Sequence, residues 1–547
     1  MAVGLRNFAA DRVAAWLLLL LGIALFLWLA SARAWVNDDA FITFRYAHNV
    51  AAGHGIVWNV VEPQRVEGST SLAWTLLNAA AVRAGLEPLP FSHGLGLLAG
   101  ACTLLLLFVG ARRGLALAPL PALVAPALLC AERQWVLWSV SGMEMTAATM
   151  LLALASIRML REQGAIPHWK DGWGSGLLFA MATLLRPESP LLHAAAAAGI
   201  LLVGGRRAWR PVATSTLLHA VALLLLTGWR LLYFGQPLPN TFYAKVGALQ
   251  LDRGLEFVAA FVTQGHILLQ LGVIVGASVV TWKRARLPLA AFGMQGIVWL
   301  TWVAALGGGR WEFRLLVPIL PALALLTAVA VAQVGGGRAQ RDAAAPRSQR
   351  AIRAGAAVLL ALLLVATSAP ALHRPFRSFG DVLSSAQLLQ SAEYVGLEAS
   401  LLRRYLGPRE RICTGWAGAI PYFTRAWHFD PWGLNTPEIA RRPLDPTQVV
   451  FHQRHALWSD LRANRVMFCD LFNHFLFPAP FDPRQRRGVV PWVQPGVSVY
   501  SARLPEGHYW VFTSTRARAE VESRLSMWGL ELVSVMELPA GWPRLGE

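Results

Sequence analysis

The 547-residue chain reads as a polytopic α-helical membrane protein with a C-terminal extracytoplasmic α/β domain, on three observations. First, the composition is 55% hydrophobic and 15% charged, with a mean hydropathy of +0.45, whereas soluble chains carry roughly a quarter charged residues. Second, the apolarity comes in leucine- and alanine-rich runs of about 17–25 residues, each long enough for a hydrocarbon core of roughly 30 Å. These runs stop at Pro370. Third, basic residues cluster in alternate connections between the runs. The net charge of +18 is therefore read as membrane topology, and no nucleic-acid partner is expected.

The first run, Val13 to Ser31, follows Arg6 and Arg12 and leads into Ala-Ser-Ala at Ala30–Ala32. Its length, and the many runs after it, favour an uncleaved anchor over a cleaved signal peptide. Basic clusters follow at Arg112/Arg113, Arg158/Arg161/Lys170, Arg206/Arg207/Arg210, Lys283/Arg284/Arg286 and Arg338/Arg341/Arg347/Arg350/Arg353. The loops between them carry acidic, aromatic and amide residues instead. The positive-inside rule makes the clusters cytoplasmic and the other loops external.

This alternation predicts about eleven spans, near 13–31, 91–111, 115–131, 142–158, 173–186, 189–205, 212–232, 255–282, 288–306, 313–334 and 354–370. The N-terminus is inside and the tail from Ala371 outside. Thr70 to Ala84 is too short and too polar at its ends to span, and reads as a helix lying at the external interface. Two domains result: a membrane domain, 1–370, with a first external loop at 34–90, and a tail domain, 371–547. In the tail, RICTGWAGAIPYF, RVMFCDLF, VSVYSARL, HYWVFTS and LELVSVMEL are strand-like runs separated by Pro, Gly and charged turns. Cys102 and Cys130 lie in apolar runs as small fillers. Cys413 and Cys469 fall in the tail, where an oxidising compartment would let them pair.

The external loops hold the chemistry. The first contains Asn37, Asp38, Asp39, Arg45, His54, Trp58 and Glu67, and ionisable groups at membrane depth are functional by default. Adjacent residues point about 100° apart on a helix, so one of Asp38 and Asp39 meets a reacting atom. Three further external segments carry cations: Arg186-Pro187-Glu188, the stretch Gly235 to Lys245, and Gly307 to Arg314. Each cation alone fits a snorkelling anchor. Together with the acidic pair they match a lipid-linked phosphate, since Arg grips phosphate bidentately and Lys as a point charge.

NDDAFITFRYAHNVAAGHGIVWNVVEPQRVEGSTSLAW resembles the first loop of the GT-C membrane glycosyltransferases. More narrowly, it resembles the branch of mycobacterial terminal arabinofuranosyltransferases and bacterial pilin arabinosyltransferases. The similarity continues in SGME (Ser141–Glu144), LLRPES (Leu184–Ser189), GQPLPNTFYAK (ending at Lys245), RLLVPILP (Arg314–Pro321) and AGAIPYFTRAWHFDPWGLNTPEIARR (Ala417–Arg442). Relatives often show Gly-Gly-Asp before the tenth span. This chain has Gly307-Gly308-Gly309 followed by Arg310, so that acid's family role is not carried over.

The resemblance implies a GT-C fold of about eleven transmembrane helices in a bacterial plasma membrane. It implies a polyprenyl-phosphate sugar donor, a glycan or protein hydroxyl as external acceptor, and neither metal nor other cofactor. Asp38 is then the expected general base, with Asp39 as the alternative or as orienter of the acceptor. Lys245 and Arg314 are expected at the donor phosphate, with Arg45 and Arg186 in support. His54, Trp58, Glu67, Glu188, Asn240 and Tyr243 are expected at the sugar or acceptor. Arabinofuranose, mannose and other hexoses stay open as the sugar. A transporter or flippase of lipid-linked sugars is the rival reading. It would place polar residues near the midplane and show internal repeats, and neither pattern is present.

Overall fold

The computed structural model describes residues 2–164, 168–334, 347–369, 385–448, 451–482, 484, 488–539, 542 and 544. Arg338, Arg341 and the expected domain boundary at 370/371 lie outside the described residues. The chain forms two compact units. One comprises Met1–Trp35, Leu89–Leu226 and Leu249–Ala386; the other comprises Val36–Pro88, Thr227–Ala248 and Gln387–Glu547. Most of the first external loop therefore folds with the tail, as does the segment leading to Lys245.

Among the described residues six helices are long and apolar enough to cross a membrane: Asp11–Ser31, Pro88–Gly114, Ser189–Arg207, Trp209–Phe234, Ala285–Ala305 and Arg314–Val334. A bent pair, Leu251–Val262 and His266–Val279, meeting at 84°, makes a seventh if counted as one span. The expected eleven is thus six or seven by this measure. The other predicted spans are shorter helices. The 115–131 run breaks into Pro119–Ala122 and Val124–Cys130, because Pro119, Pro121 and Pro126 lack the N–H that a continuous helix needs. The 173–186 run is the 13-residue helix Trp173–Leu185, about 20 Å long at 1.5 Å per residue.

Polar side chains inside this unit bond to one another. Ser175 Oγ donates to Glu162 Oε2 at 2.5 Å and lies 2.9 Å from Ser215 Oγ. Ser215 Oγ meets His193 Nε2 at 3.1 Å, and His193 Nδ1 meets His219 Nδ1 at 2.6 Å. His219 Nε2 then reaches Thr183 Oγ1 at 2.8 Å.

In the second unit, the helix Asp38–Ala51 starts where Asn37, in an extended conformation, accepts a hydrogen bond from the Asp39 N–H through its side chain. Asp38 and Asp39 occupy the first turn, where negative charge complements the helix dipole. Gly53 (φ +85°) and Gly55 (φ +79°) turn the chain after its end. The predicted 70–84 helix appears as Leu72–Arg83 and packs against Asp38–Ala51.

The tail forms a seven-stranded sheet: β1 (Arg411–Cys413), β2 (Trp427–Phe429), β3 (Phe468–Cys469), β4 (Leu476–Phe477), β5 (Ser498–Arg503), β6 (Tyr509–Thr513) and β7 (Glu531–Glu537). The order is β2-β1-β3-β6-β5-β7, with β4 beside β6. β2, β1 and β3 run parallel and the remaining pairs antiparallel. Val466, Leu471, Val490, Trp492 and Val499 are in its buried core. Cys413 and Cys469 are register partners on neighbouring strands, buried, and free thiols in this structure.

Candidate active site

In the second unit the first loop and the tail are bonded together. Asp38 is partly exposed at the start of its helix. Its Oδ2 accepts the Gly418 N–H at 2.9 Å and its Oδ1 the Ala419 N–H at 2.7 Å. Gly418 is required there: a side chain would overlap Asp38's carbonyl oxygen and stand 2.5 Å from its carboxylate. Burial pushes the Asp38 carboxyl up to about 7, with the charge of Asp39 adding to the rise, while the two amides oppose it. Asp39 is also partly exposed.

Arg45, expected at the phosphate, anchors the loop instead. Its Nε donates to Trp58 O at 2.9 Å, Nη1 to Pro421 O at 2.5 Å, and Nη2 to Asn59 Oδ1 and Ala426 O at 2.9 and 2.8 Å. Burial lowers its pKa to about 9, so it stays charged at neutral pH. Trp58, expected at the sugar, is buried under that guanidinium, 4.4 Å from its ring centroid, and donates its Nε1–H to His428 Nδ1 at 3.2 Å. Burial pushes His428 down to about 3, so its Nδ1 is an acceptor, and its Nε2 contacts Thr414 O at 3.0 Å.

Glu67 is buried and pairs with Arg230 through both oxygens, each at 2.8 Å. Asn240 is buried as well. Its side-chain amide donates to Gly433 O and Leu434 O at 2.8 and 2.9 Å, and its N–H to Glu67 O at 3.0 Å. Tyr46 Oη donates to Asn435 Oδ1 at 2.9 Å and accepts the Gly68 N–H at 3.1 Å. The Arg441 guanidinium sits 4.8 Å from the Tyr243 ring centroid. Lys245 is partly exposed and ends the helix Asn240–Lys245. His54 is exposed between Gly53 and Gly55.

The first unit carries its own charged network. Arg186 is buried between Glu144, at 3.0 Å, and Glu188. Arg133 meets Glu312 at 2.5 Å, and Glu312 O accepts the Trp138 Nε1–H at 3.1 Å. Arg314 lies 5.7 Å from the Trp138 ring centroid, with Nη1 3.2 Å from Met143 Sδ. Sequence reasoning left out Arg230, the Gly418 and Ala419 amides, His428 and the Arg133–Glu312 pair. The block Ala417–Arg442 contains Gly418, Ala419 and His428, the segment Gly307 to Arg314 contains Glu312, and SGME contains Arg186's partner Glu144, but none of them shows in sequence what it bonds.

A family model described as a domain of unknown function (DUF8728) matches residues 386–503. A terminal β-(1→2)-arabinofuranosyltransferase of Corynebacterium glutamicum is 29% identical over 354 residues, which is 56% of this chain and 49% of that protein. The chain thus spans about half the length of this curated relative. Among solved structures, the Archaeoglobus fulgidus oligosaccharyltransferase, crystallised with zinc and sulfate, superposes with a TM-score of 0.55 at 10% identity over 95% of this chain and 74% of that one. ArnT from Cupriavidus metallidurans, bound to undecaprenyl phosphate, gives 0.52 at 14% identity over 76% and 85%. These likenesses show the fold: a polytopic GT-C membrane fold with a C-terminal α/β domain.

Proposed function

We propose that this protein is an integral-membrane glycosyltransferase that moves arabinofuranose from a polyprenyl-phosphate donor to a glycan or protein hydroxyl outside the cytoplasm. The observation that carries the reading is Asp38, held through both oxygens by backbone amides with a pKa near neutrality. A general base works best when its pKa lies near the working pH and its orientation is fixed. Asp38 takes the proton of the acceptor hydroxyl as that oxygen bonds to the anomeric carbon and the bond to polyprenyl phosphate breaks. Asp39 orients the acceptor. Lys245 and Arg314 hold the phosphate and stabilise the charge of the leaving group, and the scheme requires no metal. Arg45, Trp58, Glu67 and Asn240 carry the loop that presents Asp38; Arg186, expected at the phosphate, is instead held between Glu144 and Glu188, and His54, Tyr243 and Glu188 remain assigned to substrate contacts. The similarity to an arabinofuranosyltransferase and the polyprenyl phosphate bound to a protein of the same fold support the donor class.

The deciding experiment incubates purified protein with radiolabelled polyprenyl-phosphate pentoses and hexoses and with envelope membranes lacking the protein. Loss of label from the arabinofuranose donor alone is expected. Loss from a hexose donor would change the sugar, and loss from none would remove the transfer reading. The reading also places the protein in a bacterial plasma membrane, with its N-terminus cytoplasmic and its tail outside. A reporter active only outside the cytoplasm should work when fused after Asp381 and fail after Arg341.

A further inference from the structure

The tail holds a second polar cluster, on segments that follow the carboxyl ends of its parallel strands. Ligands of open α/β sheets gather at that edge. Thr414 and Gly415 follow β1, and Asp470 follows β3. Asp470 is fully buried; its Oδ2 accepts from Thr414 Oγ1 at 2.8 Å and from the Gly415 N–H at 3.2 Å. Among the described residues its Oδ1 has no hydrogen-bond partner.

Two neighbours share that condition. Asn473 Oδ1 and Trp416 Nε1 are buried without a hydrogen-bond partner among the described residues. The three are contiguous, with the Glu398–His474 contact beside them. A side chain at Gly415 would overlap Asn473 Oδ1 and stand 3.0 Å from Trp432 Nε1. The Trp416 ring lies 6.0 Å from that of His474, whose Nδ1 is 3.5 Å from Glu398 Oε2 without a hydrogen bond. Burying a polar atom without a partner costs about 1–3 kcal/mol, so three in one place call for a polar occupant. Trp416, Trp432, Asn473 and His474 are partly exposed, while both carboxylates are not, so an occupant enters by displacing this outer wall.

The unmet groups are two acceptors and one indole donor, flanked by aromatic rings and by the Glu398–His474 pair. A polyol with an apolar face supplies the complement: hydroxyls that donate and accept, and a ring face that stacks on Trp. A cation fits less well, because no three ligating groups converge for a metal among the described residues. The geometry points to a binding site for a neutral oligosaccharide on the tail, built on Asp470, Asn473 and Trp416. Under the glycosyltransferase reading, on which this identification of the occupant rests, the site holds the acceptor and makes that acceptor a glycan.

The test uses full-length protein in detergent, with neutral pentose and hexose tetrasaccharides and an uncharged peptide as probes. Binding is followed by tryptophan fluorescence, and its place by hydrogen–deuterium exchange. Saturable oligosaccharide binding is expected, with protection confined to the segments around 414–416 and 470–474. Trp416→Phe, which keeps the ring and removes the N–H, and Asn473→Ala should each weaken it roughly three- to tenfold, as for one lost hydrogen bond. Donor-lipid binding should not change. Asp38→Asn should stop transfer and leave oligosaccharide binding intact, so failure of the site and failure of the enzyme reading are told apart. No saturable binding, protection elsewhere in wild-type protein, or preference for the peptide would overturn the site. Wild-type affinity in both variants would show the cluster to hold structural water only. The exchange footprint needs no variant and decides the case if either substitution unfolds the tail.

Discussion

The two units handle buried polar chemistry in opposite ways. In the unit that carries the membrane spans, side chains satisfy each other: Arg186 lies between two glutamates, Arg133 meets Glu312, and a chain of hydroxyls and imidazoles runs from Glu162 to Thr183. In the loop-and-tail unit, side chains mostly satisfy backbone. Arg45 serves three carbonyls, Asn240 two, and Asp38 accepts two amides. Side-chain pairs neutralise charge where water is absent. Backbone clamps fix position, because an amide cannot change rotamer. The difference teaches where to look for chemistry: the group held by backbone and left partly exposed is the one whose orientation matters.

The comparison has a charged exception inside the second unit, the buried pair Glu67–Arg230. Arg230→Met should cost about 3–5 kcal/mol of stability, because it leaves a buried carboxylate unpaired. The double variant Glu67→Gln/Arg230→Met should recover most of that loss. Thermal unfolding in detergent measures both, and an unchanged Tm in Arg230→Met would mean that water reaches Glu67.

Asp38→Asn should lower turnover at least about a hundredfold while leaving fold and donor binding in place. Asp39→Asn should cost less and raise the acceptor KM. Gly418→Ala should approach the Asp38→Asn loss without removing any chemical group, because the methyl displaces the clamp. Full activity in Gly418→Ala would show that position is not what the clamp provides. The reverse order of the two Asp variants would exchange their roles, and a fully active double variant would move the base to Glu188 or another acid.

Lys245→Ala and Arg314→Ala should each weaken donor binding roughly tenfold, the scale of one charged hydrogen bond. Equilibrium binding of a labelled donor lipid reads this directly. Unchanged affinity in both would return these cations to anchoring.

The smallest effect is with pH. An acid whose pKa is raised to about 7 is mostly protonated below that value and cannot accept a proton. kcat/KM should therefore rise about tenfold per pH unit below 7 and level off above it. Asp38→Asn should flatten this limb; a limb that persists would belong to another group.

Much of this was legible in the sequence. The apolar runs gave the membrane class, Thr70 to Ala84 one helix of the first loop, and alternating runs in the tail gave β1, β3, β5, β6 and β7; the helix Asp38–Ala51 was not predicted. β2 and β4 were missed because Trp427–Phe429 and Leu476–Phe477, no shorter than β1 and β3, lie in stretches crowded with aromatic residues and Pro (AWHFDPW and FLFPAPF) rather than in an aliphatic run. Within the candidate site the acidic pair was visible but not its setting. Arg45 looked like a phosphate ligand because the carbonyls that occupy it, at Pro421 and Ala426, lie 376 and 381 residues away. Trp58 and Glu67 misled in the same way, since their partners His428 and Arg230 are distant in the chain. A residue type announces what it can bond, and only the fold decides what it does bond.

The Asp38 clamp also has a consequence in time. A chain grows from its N-terminus, and domains fold as units during synthesis. The carboxylate is made early, but its amides come 380 and 381 residues later. Until the segment at Gly418 has been made and folded, Asp38 is an ordinary acid at a helix start. On the proposed function, the nascent chain therefore enters the membrane before its base exists, because the clamp can form only after every predicted span has been made.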